Sequence, residues 1–307
     1  MSPVRLEQLG KPRIRELLTA GELTLEAAPY RFTLRTRFPA VAENLLRLYG
    51  DYPAWSGTDG DFHIHLRPGT GLARWLKSQV IFEFDGQAPF FPLTANQAFP
   101  MLEWGMNWCI TNHIHHYLIL HAGILGQGDR GLILPGAPGS GKSTLAAILM
   151  LKGWRLLSDE LGLVDTAGDR ITAFVRPVSL KNASIGLIRK LSASDDFSDT
   201  ARNTSKGDVC HMKPSALSIE HARRPVKPRL ILFPTWRDGA ALEVTRLTRA
   251  SALMRLEQQT FNFAVLGEAG FSTLCHLVEH CPAIAVTYGD ADHLTPVLEN
   301  YFGGPDG

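Results

Sequence analysis

The chain has 307 residues, 45% of them hydrophobic, enough to bury a large core in one big domain or two modest ones. A formal net charge of +1 leaves no field for nucleic acid or a membrane surface. Cys109, Cys210, Cys275 and Cys281 show no paired C-x-x-C spacing, and neither an apolar signal core nor an uncharged run of membrane-spanning length occurs, so a soluble protein of the reducing cytoplasm is expected.

Residues 1–92 read as a separate α+β unit. Polar and apolar residues alternate in Arg31–Thr36, Asp61–Arg67 and Gln79–Asp85, the pattern of half-buried antiparallel strands, while Val41–Tyr49 has helical spacing. His63 and His65 share one strand face, a geometry that suits a metal, but no third ligand follows, and an exposed face is expected. From residue 93 to the end the chain reads as a second domain. Phe99, Leu102, Met106, Trp108 and Ile110 recur at helical intervals and predict a helix packed beneath that domain. His113, His115 and His116 lie at a helix-to-strand junction, with no cysteine or carboxylate at ligand spacing, and zinc is not expected there. His121 closes the apolar run Tyr117–Leu120, a strand predicted to pair in a hairpin turned at Gly126–Asp129.

The most specific signal comes next. Leu132-Ile133-Leu134 reads as a buried strand, and Leu145–Leu151 as an apolar helix stopped at Gly153. Between them run Gly136, Ala137, Pro138, Gly139, Ser140, Gly141, Lys142, Ser143 and Thr144, the spacing of a P-loop. In such a loop glycines let backbone N–H groups close on phosphate, the helix N-terminus adds its positive end, the lysine reaches the β- and γ-phosphates, and the serine hydroxyl ligates Mg²⁺. ATP and Mg²⁺ are therefore the expected cofactors.

After Gly153, Trp154–Ser158 reads as an apolar strand ending in Asp159 and Glu160. In a parallel sheet that strand end would lie near the phosphates, with one acid for the metal and its neighbour for the proton of an attacking hydroxyl. Asp165-Thr166-Ala167-Gly168 matches the D-x-x-G pattern of GTPases, but it follows the loop too closely and no Asn-Lys-x-Asp occurs later, so a hairpin turn at Ala167–Asp169 is expected. The polar stretch Ser192–Asp208 reads as a mobile lid or as disorder. Arg176, Lys181, Lys206 and His211 are candidates to neutralise phosphate charge. Buried strands are expected at Arg229–Pro234 and Ala283–Tyr288, and helices at Ala250–Gln259 and Gly270–His280.

Three blocks, His121-Ala122-Gly123, Gly136–Thr144 and Gly153–Glu160, resemble the catalytic core of bacterial HPr kinase/phosphorylase in content and in spacing. Nearly the whole chain is similar to the HprK-related kinase A group, including Arg176-Pro177-Val178-Ser179-Leu180-Lys181-Asn182 and Lys206-Gly207…His211. The resemblance implies an α/β nucleotide domain akin to that of phosphoenolpyruvate carboxykinase, with a seryl hydroxyl as acceptor. It also implies His121 as the active-site histidine, Lys142 as the phosphate lysine, Ser143 at the magnesium ion, and Glu160 in place of a second, proton-accepting aspartate; of the acid pair, Asp159 is then the one read as serving the metal. Phe174-Val175-Arg176 stands where HPr kinase has a further magnesium glutamate, and the segment tied to its phosphorylase activity has no counterpart. The expected activity is thus ATP-dependent phosphoryl transfer to a protein, peptide or small-molecule hydroxyl. The alternative is a P-loop ATPase or nucleotide switch without a phosphorylated product. The acceptor, homo-oligomerisation and the preference for ATP over other nucleotides are left open.

Overall fold

Apolar residues at alternate positions bury one face of Tyr30–Thr36, Phe62–Pro68 and Gln79–Phe84, and in the computed structural model these are strands of one mixed sheet. The structure describes residues 2–69, 78–137 and 139–303. The protein is mixed α/β and divides into two units, residues 1–110 with 179–219, and residues 111–178 with 220–307. No helix among the described residues is long and apolar enough to cross a membrane.

In the first unit β1 (Val4–Arg5), β2 (Leu23–Ala27), β3 (Tyr30–Thr36), β4 (Pro53–Ser56), β5 (Phe62–Pro68), β6 (Gln79–Phe84) and β7 (Leu93–Thr94) are ordered β1-β4-β2-β3-β5-β6-β7. The N-terminal strands are not all antiparallel as their patterning suggested. β3 and β5 pair parallel, because the connection between them carries the helix Pro39–Tyr49 and β4, long enough for a crossover. His63 is exposed, and His65 faces Glu83 at 3.8 Å on the neighbouring strand. The helix Ala98–His113 lies on β6 at Gly105, where any Cβ would run into the Phe82 ring. Its buried Glu103 accepts a hydrogen bond from the Tyr49 hydroxyl at 2.7 Å.

The second unit begins with β8 (Tyr117–Gln127), β9 (Arg130–Pro135), β10 (Arg155–Ser158), β11 (Leu161–Asp165) and β12 (Ile171–Thr172). β8 and β9 form the expected hairpin, from Ala122↔Pro135 to Gln127↔Arg130. The turn after β11 is also a hairpin, in which Gly168 takes φ +78° and donates to the Asp165 carboxylate at 2.8 Å. Burial holds that carboxyl above the usual aspartate range.

The chain then contributes β13 (Val178–Lys181), β14 (Ala201–Thr204) and β15 (Gly207–Met212), a three-stranded sheet of order β13-β15-β14. Here the structure differs from the lid expected over residues 192–208. Phe197 and Ser198 are buried, the Arg189 guanidinium covers the Phe197 ring at 4.6 Å, and Arg47 donates to the Phe197 carbonyl at 2.9 Å. One aromatic in a polar run anchors it, which composition averages away.

The second unit resumes with β16 (Lys227–Trp236), β17 (Glu243–Arg246) and β18 (Ala283–Tyr288), completing the order β12-β11-β8-β9-β16-β18-β17 with β10 also on β8. β9, β16 and β18 run parallel, so their carboxyl ends lie at one end of the sheet. Leu118, Leu120, Ala122 and Ile124 of β8 share one core with Ile133, Ile231, Ala252, Leu256, Leu274 and Leu277, drawn from neighbouring strands and two helices.

Candidate functional site

The loop after β9 is shaped by two glycines in the left-handed region, Gly139 at φ +89° and Gly141 at φ +90°, a conformation L side chains rarely adopt. Gly141 opens the helix Lys142–Leu151, whose first turn has no side-chain cap and no acidic residue. A Cβ on Gly136 would displace the Ser140 hydroxyl, itself buried and without a hydrogen-bond partner among the described residues. Pro138 lies outside the described residues, Ala137 and Gly139 are exposed, and Ser143 and Thr144 are half-buried on the helix. An uncapped helix start, a tight glycine turn and a buried unsatisfied hydroxyl together suit an anion with oxygen acceptors.

Strand alternation places His121 and Gly123 on the same face of β8, opposite to the core face of Leu120 and Ala122. A Cβ built on Gly123 would touch Lys142 Cγ at 3.6 Å and Ala146 Cβ at 3.7 Å, so this face meets the start of the helix. Lys142 is itself buried, at 6% exposure. Its stem is therefore fixed between helix and sheet.

The two acids arrive by a route the sequence did not suggest. β10 and β11 both run antiparallel to β8, as one edge interrupted at Asp159 and Glu160, not as a parallel strand with a free end. The interruption is held by Ser158, whose hydroxyl accepts from the N–H groups of Glu160 (3.3 Å) and Leu161 (3.0 Å). Ala122 pairs with Pro135 on one side and donates to the Glu160 carbonyl at 3.2 Å on the other. Glu160 thus lies level with the end of β9, where the glycine loop begins, and Leu161 is paired with His121. Asp159 is buried at 3% exposure and Glu160 is half-buried. Among the described residues no three His, Cys, Asp or Glu side chains group as a metal site. Ser143 and Asp159 are hard oxygen donors of the kind Mg²⁺ takes when phosphates and water complete its shell.

Several contributors were missed by the sequence reading. Where β9 stops, residues 259–262 take over the edge of β8: His121 N–H donates to the Gln259 carbonyl at 2.6 Å and Phe261 N–H to Ile119 at 2.9 Å. Asn262, 2% exposed, seals this edge, accepting from Ile119 N–H at 3.0 Å and donating to the Tyr117 carbonyl at 2.8 Å. The Phe261 ring lies 5.5 Å from that of His121. Asn262→Ala leaves those two backbone groups of β8 unsatisfied, and is expected to cost about 1–3 kcal/mol, read as a lowered urea midpoint. An unchanged midpoint would show that β8 holds its register without Asn262. A buried asparagine flanked by aromatics was the only available signal.

The remaining candidates divide between the two units. Arg176 is buried, with its guanidinium over the Phe174 ring at 4.8 Å, and Phe174 N–H donates to the Leu157 carbonyl, which sets this segment beside β10. Lys181 and His211 lie on the three-stranded sheet of the first unit, and Lys206 in the turn between its strands β14 and β15. The Lys206 ammonium covers the Trp104 ring at 5.1 Å, and His211, 1% exposed, packs edge-on against Phe99 at 5.4 Å. Arg155, conspicuous in the sequence as a cation in an apolar strand, donates to the carbonyls of His221 (2.8 Å) and Arg224 (2.7 Å). No family model matches the chain, and no curated protein matches it.

Proposed function

We propose that this chain is an ATP-dependent kinase of the HPr kinase-like P-loop class, similar to the HprK-related kinase A group, which transfers the γ-phosphoryl group to a hydroxyl, serine by resemblance. The observation that carries this reading is the meeting of the three sequence blocks within one unit. Gly123 lies against the Lys142 stem, and Ala122 binds the Glu160 backbone level with the end of β9. A nucleotide-binding loop needs only the middle block; a histidine and two acids around it are what transfer to a hydroxyl adds.

In this reading the backbone from Gly136 to Thr144 cradles the phosphates, Lys142 compensates their charge, and Ser143 and Asp159 offer oxygens to Mg²⁺. Bound MgATP supplies the phosphoryl group and, through the cation, neutralises its oxygens. Glu160 orients the acceptor hydroxyl and takes its proton, while His121 shares the sheet face on which Lys142 lies. Arg176, a buried cation beside β10, adds positive charge there. Lys181, Lys206 and His211 are given no part in the transfer. The acceptor is a cytoplasmic protein, peptide or small molecule bearing a hydroxyl.

The test is incubation of the purified protein with γ-labelled ATP and a dialysed or undialysed cell lysate. A labelled product whose phosphate is stable to acid and sits on a hydroxyl is the expected result. ATP hydrolysis without such a product would favour the nucleotide switch, and absence of both would overturn the nucleotide reading.

A further inference from the structure

We propose that Trp236 is the base-stacking residue of this site, its indole face receiving the purine ring of the nucleotide; the inference rests on the nucleotide reading above and extends it. Three parallel strands direct their carboxyl ends to this end of the sheet. β9 runs into the glycine loop at Pro135, β16 ends at Trp236, and β18 ends at Tyr288, with Trp236 and Tyr288 paired across the two strands. Ligands of open α/β sheets bind outside such carboxyl ends.

Trp236 is tied to the loop itself. Its backbone N–H donates to the Ser140 carbonyl at 3.2 Å, and a Cβ built on Gly141 would lie 3.0 Å from Trp236 Cβ. The indole N–H donates to the Gly289 carbonyl at 3.1 Å. Behind it the two strand ends interlock, Arg237 N–H donating to Tyr288 and Gly289 N–H to Ala240, both at 3.0 Å. The two rings are used differently. Tyr288 is 2% exposed, with its hydroxyl 3.4 Å from the position of a Gly141 Cβ, and burial holds that hydroxyl protonated, far above the ordinary tyrosine range. Trp236 is 50% exposed, although its one polar group is already satisfied by the protein.

A fixed indole with its polar edge occupied and its apolar surface open is a stacking platform that loses little entropy on binding. The chain has no Asn-Lys-x-Asp sequence to read guanine. Stacking without edge recognition accepts any purine, because every base has a π-face.

The test is the affinity of the full-length protein for MgATP, MgGTP and magnesium tripolyphosphate by calorimetry, for wild type, Trp236→Ala and Trp236→Phe. Trp236→Ala is expected to weaken both nucleotides by roughly 5- to 150-fold and to leave tripolyphosphate unchanged, with Trp236→Phe recovering most of the loss. Equal weakening of nucleotide and tripolyphosphate would mean that Trp236 only props the loop, and no weakening would remove it from the site; either overturns the proposal. Wild-type protein that binds tripolyphosphate but ATP no better overturns stacking alone. Wild-type protein that binds none of the three overturns the nucleotide reading and the stacking with it.

Discussion

Lys142→Met should reduce phosphoryl transfer by roughly 10²–10³-fold or more, the scale set by removing one aimed charge from a developing anion. Methionine is the informative replacement. The Lys142 stem is buried, with Cγ packed toward Gly123, so alanine would remove both the ammonium and the packing that seats the helix on β8. Methionine keeps an unbranched apolar stem and deletes only the charge. Lys142→Ala is expected to lose transfer as well, with an added drop in thermal midpoint that the methionine variant does not share. Transfer rate, nucleotide affinity and melting temperature measured on both variants separate the two contributions. Wild-type transfer by Lys142→Met would remove the lysine from the proposed site.

Glu160→Gln should lower the transfer rate by roughly 10²–10⁴-fold, the range for a lost general base, and leave Mg²⁺-nucleotide affinity near wild type. Asp159→Asn should instead raise the magnesium concentration needed for half-maximal rate. A neutral amide of the same shape still hydrogen-bonds an incoming hydroxyl but takes no proton, whereas a metal ligand that becomes an amide loses charge attraction at once. The structure adds a reason for dividing the roles this way. Asp159 is 3% exposed, and a buried carboxylate is best kept beside a cation, while half-buried Glu160 is placed by its own backbone carbonyl on Ala122. Both variants followed across a magnesium titration decide it: a metal defect in Glu160→Gln with a pure rate defect in Asp159→Asn would reverse the assignment.

Sequence alone determined what depends on neighbours a few residues apart. The strand before Gly136, the helix from Lys142, the hairpin ahead of β9 and the turn at Gly168 were all readable, because glycine conformations and apolar periodicity act locally. Periodicity names the buried face of a strand but not its partner. Hence the parallel pairing of β3 with β5, the folding of residues 179–219 onto the first unit, and the break at Asp159-Glu160 level with Pro135 were decided only by tertiary structure. The same holds for the candidate site. His121, Lys142, Asp159 and Glu160 stand out in the sequence, whereas Asn262 and Trp236 do not, more than 90 residues beyond the loop and without a motif. They reach it because β8 lacks a strand partner on one edge beyond β9 and because β16 and β18 run parallel to β9 and carry their carboxyl ends past it to the loop, conditions set by long-range pairing in the sheet.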